Sequence, residues 1–198
     1  MTAHDMDDQL ILVDPEDTPI GECGKLQAHR EGLLHRAFSI FVFDAAGRLL
    51  LQRRAVGKYH SGGLWTNTCC GHPRPGEALP DATRRRLREE MGFVCVLQKV
   101  DTLRYRASVE NGLIEHEFVH IHAGRFNGPV LPDPAEAADW RWTDMPTLFE
   151  WVAREPSAFT AWFRLMVERA GTHGLREWFA RAGLAVYRGA ADAMRPHG

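Results

Sequence analysis

The stretch TNTCCGHPRPGEALPDATRRRLREEMGF, residues 66–93, decides how the rest of the chain is read. Its second half has helical spacing. Leu79, Ala82, Thr83, Leu87 and Met91 recur on one side, and Arg84, Arg85, Arg88, Glu89 and Glu90 fill the remaining faces. Gly92 is a natural stop, because glycine adopts at little cost the left-handed conformation that ends a helix. The spacing therefore predicts a helix over 79–91. Ahead of it, Cys69, Cys70, Gly71 and His72 place two thiols and an imidazole at the helix's leading edge. Neighbouring side chains on extended backbone point to opposite sides, so only one of the two cysteines can face a given pocket.

Working outward, the chain alternates strands and turns. QLILV at 9–13 reads as a short strand, and DPEDTPIG as a turn before a second short strand or loop, together an edge hairpin. HRAFSIFVF at 35–43 is rich in aromatic and β-branched residues, and DAAG separates it from RLLLQRR, which predicts a β-hairpin. Residues 94–106 and 113–123 form a second hairpin about Glu110, Asn111 and Gly112. Trp140 to Trp142 reads as a strand, Thr143 to Pro146 opens a helix, and 157–169 is a further amphipathic helix. With no repeat, linker or low-complexity segment, the expected architecture is one α/β (α+β) domain, a mixed β-sheet sandwiched between helices. Residues 171–198, with Trp178, Phe179 and Tyr187, carry helical periodicity as a C-terminal extension.

A chain of 198 residues with 44% hydrophobic composition can bury one sizeable core without disulfides. The formal charge of -2, from 24 Lys plus Arg against 26 Asp plus Glu, provides no field for nucleic acid, so any basic site must be local. The acidic start MTAHDMDDQLIL lacks the basic end of a signal peptide, and no apolar run approaches the roughly 18 residues of a spanning helix. The expectation is a soluble cytoplasmic protein with no membrane or nucleic-acid partner, and no obligate protein partner is evident. Cys23, Cys69, Cys70 and Cys95 do not amount to a disulfide framework, which leaves at least one thiol open to a chemical role.

Glu115 and Glu117 stand two apart on an expected strand, so both carboxylates share a face while Ile114, His116 and Phe118 take the other. Like charges so placed are costly unless a cation neutralises them or one stays protonated, which describes a metal site or a general acid. The bland alternative is a solvated edge. His116, His120 and His122 share a face and resemble a zinc cluster, but no thiolate accompanies them and the reading is set aside. His29 and His35 flank a Gly-containing turn, and His72 follows Cys70 by two. Singly, each is an ordinary surface or core histidine. With Glu115 and Glu117 they make three nitrogens and two oxygens, a set suited to a six-coordinate divalent ion.

The segment at 66–93 also resembles the Nudix signature, with Gly71, Glu77, Arg85, Leu87, Glu89, Glu90, Gly92 and Phe93 in its spacing. That signature carries carboxylates that hold a divalent cation against a diphosphate. One position departs: Arg86 stands where Nudix hydrolases place the first Glu of the Arg-Glu core. AHREGLLHRAF, LLLQRRAVGK, GLWTNTCCGHP, RRRLREEMG, LRYRA, the Glu115-His116-Glu117 strand and the Trp162 helix together resemble type 1 isopentenyl diphosphate isomerases, over roughly residues 25–165.

The resemblance implies interconversion of isopentenyl and dimethylallyl diphosphate, small prenyl diphosphates, through a carbocation. It implies Cys70 and Glu117 as the acid–base pair on opposite faces of the substrate, with Tyr105 hydrogen-bonded nearby. Trp162 would stabilise the cation by roughly 1–2 kcal/mol through its indole face, with Trp65 a second wall. Lys25, Arg53, Lys58 and Arg86 would meet the diphosphate, and Mg2+ would bridge it to Glu90. His29, His35, His72, Glu115 and Glu117 would hold Mn2+ or Mg2+, with Zn2+ also compatible. The competing readings are a Nudix pyrophosphohydrolase of a nucleoside or prenyl diphosphate, and a non-catalytic metal-stabilised binding module.

Overall fold

HRAFSIFVF carries apolar side chains on both of its strand faces, a pattern suited to a strand covered on each side. The computed structural model, which describes residues 9–58 and 60–193, makes it the centre of one mixed sheet. The described strands are β1 (Gln9–Val13), β2 (Pro19–Gly24), β3 (His35–Phe43), β4 (Leu49–Arg54), β5 (Trp65–Thr66), β6 (Cys69–Gly71), β7 (Leu97–Ser108), β8 (Ile114–Arg125) and β9 (Ala137–Thr143). The helices are α1 (Lys25–Glu31), α2 (Leu79–Met91), α3 (Met145–Arg154) and α4 (Ala161–Ala193). This is the expected mixed sheet between helices.

One edge of β3 is taken along its whole length by β8, in parallel, from His35 opposite Glu117 to Phe43 opposite Arg125. The remaining pairings are shared in succession: β1 at His35, β6 at Phe38 to Ile40, and β4 at Phe43. The expected 35–43/48–54 hairpin thus has its turn, where Asp44 accepts from the Ala46 and Arg48 amides at 3.0 and 2.8 Å. Its strands then part after the Phe43–Leu49 pair, and β4 goes on to pair with β5 and β9. β6 is the reason. Three residues of it are inserted against β3, and that pairing places Cys70 opposite Ser39.

Alternation along β3 divides the interior. Phe38, Ile40 and Val42 join Leu50 and Cys69 in one core cluster with Ala82, Leu87 and Met91 of α2. Phe41 and Phe43 join Val119 and Ile121 in a second with Phe163, Met166 and Val167 of α4 and Leu148 of α3. Each large side chain removed from water here contributes about 1.5–3 kcal/mol. Helix α4 begins at Ala161, after a 3-10 turn at Pro156–Ala158, so its start falls later than the sequence pattern implied. It is broken at Gly171 (φ 58°, ψ -176°) and continues through the extension. There Leu175, Trp178 and Ala182 are buried in the second core, with Trp178 5.0 Å from Phe41 and Phe179 5.7 Å from Phe43. The extension therefore covers a sheet face. The side chain of Tyr187 lies outside the described residues.

Helix α1, which the sequence reading did not anticipate, closes at Gly32 in the left-handed region (φ 64°). A Cβ there would lie 3.2 Å from side-chain atoms of Arg106 and Ile114, so the turn needs both the conformation and the space that glycine provides. The predicted limits of α2 match the structure, and Gly92 caps it at φ 75°. Among the described residues no helix is long and apolar enough to cross a membrane.

The loop before α2 is fastened by Glu77, which accepts from Arg85 Nε at 2.7 Å, from a second Arg85 nitrogen at 2.8 Å and from the Arg74 amide at 2.9 Å. The Arg85 guanidinium holds the Glu77 carboxyl below its ordinary value of 4.5. A depressed carboxylate contributes stability above its unfolded pKa and loses it as pH falls through the folded one. Glu77→Ala is expected to cost about 1.5–3 kcal/mol at neutral pH, as charged hydrogen bonds do. Denaturant midpoints of the two proteins, measured from neutral pH downward, should converge below the ordinary glutamate range.

Candidate active site

The site begins with register. Glu117 on β8 is opposite His35 on β3 and opposite Tyr105 on β7, so three side chains from adjacent strands rise from the same face. The Tyr105 hydroxyl donates to Glu117 Oε2 at 2.8 Å, and His35 Nε2 lies 3.7 Å from Oε1. Glu115, two residues earlier, is on the same face, 4% exposed. Helix α1 brings His29 Nε2 to 3.4 Å from Glu115 Oε2, and the segment after β6 brings His72 Nε2 to 3.0 Å from Glu117 Oε1. The His35 ring is 5.0 Å from His29 and 5.1 Å from His72.

The donor set fits a divalent cation. His29 Nδ1 is 2.6 Å from the Lys25 carbonyl and His35 Nδ1 is 2.9 Å from the Leu33 carbonyl. A carbonyl only accepts, so each Nδ1 carries the proton and each Nε2 presents a lone pair toward the carboxylates, the second contact that metal-binding histidines typically make. His35 Nε2 and Glu115 Oε2 are buried and make no hydrogen bond among the described residues. Lone pairs facing lone pairs in a buried space need positive charge between them, supplied by a metal ion or by a proton on an imidazole, and, although burial opposes it, Glu115 does favour the protonated form of His29. Burial pushes the His72 imidazole down to about 4, so it is neutral at neutral pH. Burial works against ionisation of Glu115 and Glu117, yet the flanking histidines hold Glu115 well below, and Glu117 below, the ordinary range.

Beside this cluster is a cavity of about 410 Å³, lined by Cys70, Tyr105, Glu115, Glu117, His72 and Trp162, with Lys25, Arg54, Lys58, Arg86, Glu90 and Glu136 among its charged lining groups. Alternation on β6 sends Cys69 into the α2 core and leaves Cys70 in the cavity. Asn67 donates through Nδ2 to the Ile40 and Cys69 carbonyls at 3.1 and 2.9 Å, which turns its Oδ1 toward Cys70 Sγ at 3.2 Å. Ser39 Oγ is 3.4 Å from the same sulfur. Burial pushes the Cys70 thiol up to about 12, so it keeps its proton. Trp162 is fixed by its indole N–H, which donates to Thr66 Oγ1 at 3.0 Å.

The basic residues depart from expectation at two points. Arg54, not Arg53, lines the cavity, and its guanidinium lies 5.3 Å from the Trp162 ring centre. Arg53 points away, 3.9 Å from Asp139 and 5.9 Å from the Trp65 ring. Trp65 likewise packs against Trp151 at 5.4 Å and under Arg141 at 5.0 Å, away from the cavity wall. Plain alternation along β4 accounts for the arginines: Leu50, Gln52 and Arg54 share the side of α2 and the cavity, and Leu49, Leu51 and Arg53 share the side of Trp65.

Arg86 lies in the cavity but is already engaged. Its nitrogens reach Glu90 at 2.5 Å, Glu89 at 2.8 Å and Glu136 at 3.3 Å. Glu90 also accepts from Gln52 at 2.8 Å, and Lys58 pairs with Glu136. Burial lowers the Lys25 ammonium below its ordinary value, Glu115 opposes this, and Arg86, Arg54 and Lys58 add to it. A group of cations that repel one another across a cavity is a place for an anion. Arg54, His60, Gln52 and Glu136 were not singled out from sequence. The three histidines of the discounted zinc reading go to separate partners: His116 to the Gly32 carbonyl, His120 to Asp17 and His122 to the His120 carbonyl.

A mixed sheet between helices with a charged helix lining a cation-rich cavity is the arrangement of Nudix domains, and the NUDIX domain model matches residues 33–163. Solved structures from Deinococcus radiodurans (TM-score 0.67, 20% identity, 81% of this chain and 98% of that one) and a MutT protein from Methanosarcina mazei (0.56, 20%, 69% and 91%) share the fold. Sequence similarity is far higher to an isopentenyl-diphosphate Delta-isomerase of Burkholderia multivorans, 71% identical over 89% of this chain and 100% of that protein. One from Serratia proteamaculans is 53% identical over 87% and 97%. The chain belongs to the isopentenyl-diphosphate Delta-isomerase family of Nudix-domain proteins.

The placement of the two arginines gives a direct comparison. Arg54→Ala should weaken binding of inorganic diphosphate by about 10-fold or more, the scale of one charge-assisted hydrogen bond, while Arg53→Ala leaves it unchanged. Calorimetric titration of both variants checks this, and equal losses would contradict the assignment.

Proposed function

We propose that this chain interconverts isopentenyl and dimethylallyl diphosphate, with Cys70 and Glu117 as the groups that exchange protons with the substrate. The observation that carries the reading is one cavity that joins a protonated thiol and an ionised carboxylate to basic side chains that include Lys25, Arg54, Lys58 and Arg86. An alkene is a feeble base, so the reaction needs an acid against one carbon, a base against another and a stabilised cation between them. One group delivers a proton to the alkene, the positive charge develops on the tertiary carbon, and the other group removes a different proton to place the double bond anew. The thiol and the carboxylate thereby exchange roles between the two directions of reaction.

Trp162 supports this assignment through its place in the cavity wall, where an indole face adds roughly 1–2 kcal/mol to a desolvated positive centre. Tyr105 holds one oxygen of Glu117 and leaves the other turned to the histidines. Lys25, Arg54, Lys58 and Arg86 bind the diphosphate and orient it. His29, His35, His72, Glu115 and Glu117 would hold Mn2+ or Mg2+, with Zn2+ also compatible, and Glu90 would help to hold Mg2+ at the diphosphate. When bound, the ions neutralise the buried carboxylates and the diphosphate charge. Hydrolysis is disfavoured because Arg86 replaces a carboxylate of the hydrolase signature and pairs with Glu89 and Glu90.

Incubation with isopentenyl diphosphate and a divalent metal in deuterated water should yield dimethylallyl diphosphate carrying deuterium, without release of phosphate. Cys70→Ala and Glu117→Gln should each lose about 10²–10⁴-fold in turnover, the range of general acid–base catalysis, while retaining diphosphate binding. Undiminished turnover in either variant, or phosphate release that persists in Cys70→Ala, would sink the assignment.

A further inference from the structure

We infer that His60 is a positioning residue, which fixes Glu115 at one oxygen so that the other is presented to the cation site. His60 lies in the loop between β4 and β5, is 4% exposed, and places Nε2 2.9 Å from Glu115 Oε1. An ionised carboxylate only accepts, so the imidazole N–H at Nε2 donates. The other oxygen, Oε2, is the buried atom that lies 3.4 Å from His29 Nε2 and makes no hydrogen bond.

The neighbouring carboxylate is handled in the same way. Tyr105 donates to Glu117 Oε2, and Oε1 is left toward His35 and His72. Each glutamate therefore has one oxygen held by an N–H or O–H donor and one oxygen turned into the histidine cluster. This is the role of residues that sit behind metal ligands and set their direction.

The His60 ring is itself held. Its Nδ1 is 3.3 Å from Ser61 Oγ, whose hydroxyl can donate to it, and the Ser61 amide donates to Glu110 at 3.0 Å. Ser61 sits at φ 52°, an uncommon conformation for a residue with a Cβ, so the contact with Glu110 compensates a local cost. The His60 carbonyl accepts from Arg54, and the edge of the ring meets Trp162 at 5.7 Å and 88°. One side chain thus ties the direction of Glu115 to the wall of the cavity.

The inference rests on the proposed function for its catalytic consequence, but not for its effect on metal binding. Full-length protein, His60→Ala and His60→Gln are stripped of metal, checked for equal thermal midpoints in chelator, and titrated with Mn2+, the free ion being followed by electron paramagnetic resonance. His60→Ala should bind Mn2+ about 10- to 100-fold more weakly, the usual effect of removing such a partner. His60→Gln, whose amide N–H can replace the Nε2 donor, should restore most of the affinity. With saturating metal, His60→Ala should lower kcat while KM for the diphosphate substrate stays near wild type, because the basic residues are untouched.

Unchanged Mn2+ affinity in His60→Ala would overturn the inference. So would a His60→Gln as weak as His60→Ala, which would make the imidazole a ligand in its own right. Should His60→Ala fail to fold, His60→Gln decides alone: retained affinity supports the inference and lost affinity refutes it. A wild-type protein that binds Mn2+ but never isomerises would defeat the functional reading and leave the metal-binding comparison standing.

Discussion

Two carboxylates on one face of a nearly buried strand constrain much of this architecture. Glu115 and Glu117 stand two residues apart on β8, about 7 Å along the strand, and both are ionised. Such a pair is unfavourable in a low-dielectric interior unless positive or hydrogen-bonding groups surround it. Those groups come from four separate segments: His29 on α1, His35 on β3, His60 in a loop and His72 after β6. The chain must fold the edge hairpin and α1 over β8 for His29 to arrive. Gly32 makes that return, and the small cluster of Leu10, Cys23 and Ala28 holds the segment in place.

The signature helix answers to the same logic with the sign reversed. A cavity that collects Lys25, Arg54, Lys58 and Arg86 must balance them when no anion is bound, and Glu90 and Glu136 do so. Arg86 is central to that balance. A glutamate at this position would add another anion beside Glu89 and Glu90, whereas the guanidinium joins them and spans to Glu136. In the proposed function an arriving diphosphate would replace these carboxylates at Arg86, exchanging one set of charge-assisted contacts for another, at a smaller cost than ordering a free side chain from solvent.

What the sequence made legible follows periodicity. The helix at 79–91 is marked by its apolar spacing and by Gly92, the shared face of Glu115 and Glu117 by their separation, and the opposite fates of Cys69 and Cys70 by their adjacency. Each is a local rule. One failure is local as well: alternation from Leu50 through Gln52 brings Arg54, and not Arg53, to the cavity. The others are nonlocal. Trp65 is turned aside by contacts with Trp151 and Arg141. Helix α1 has seven residues, too few for its spacing to stand out, and its stability comes from packing. His60 sits in a nonperiodic loop, and its contact with Glu115 is set by the fold of β8 and not by local spacing.

The inserted strand β6 shows how the fold sets a protonation state. Because it is paired to β3, Cys70 lies beside Ser39 in the cavity wall, and burial raises its thiol to about 12. Asn67 adds direction. Its amide nitrogen is committed to two backbone carbonyls, so the oxygen that meets the sulfur can accept a proton but cannot donate one. A thiol satisfies that oxygen, and a thiolate would oppose it. In the proposed reaction Cys70 therefore starts as the protonated partner and Glu117 as the ionised one, so each turnover leaves both groups in the opposite state. The pair must reset before the next substrate binds, or the reverse reaction must use the exchanged state directly. A protonated thiol and an ionised carboxylate with an indole ring in the same cavity suit the proposed allylic proton exchange, which does not need the nucleophilic water on which a hydrolase depends.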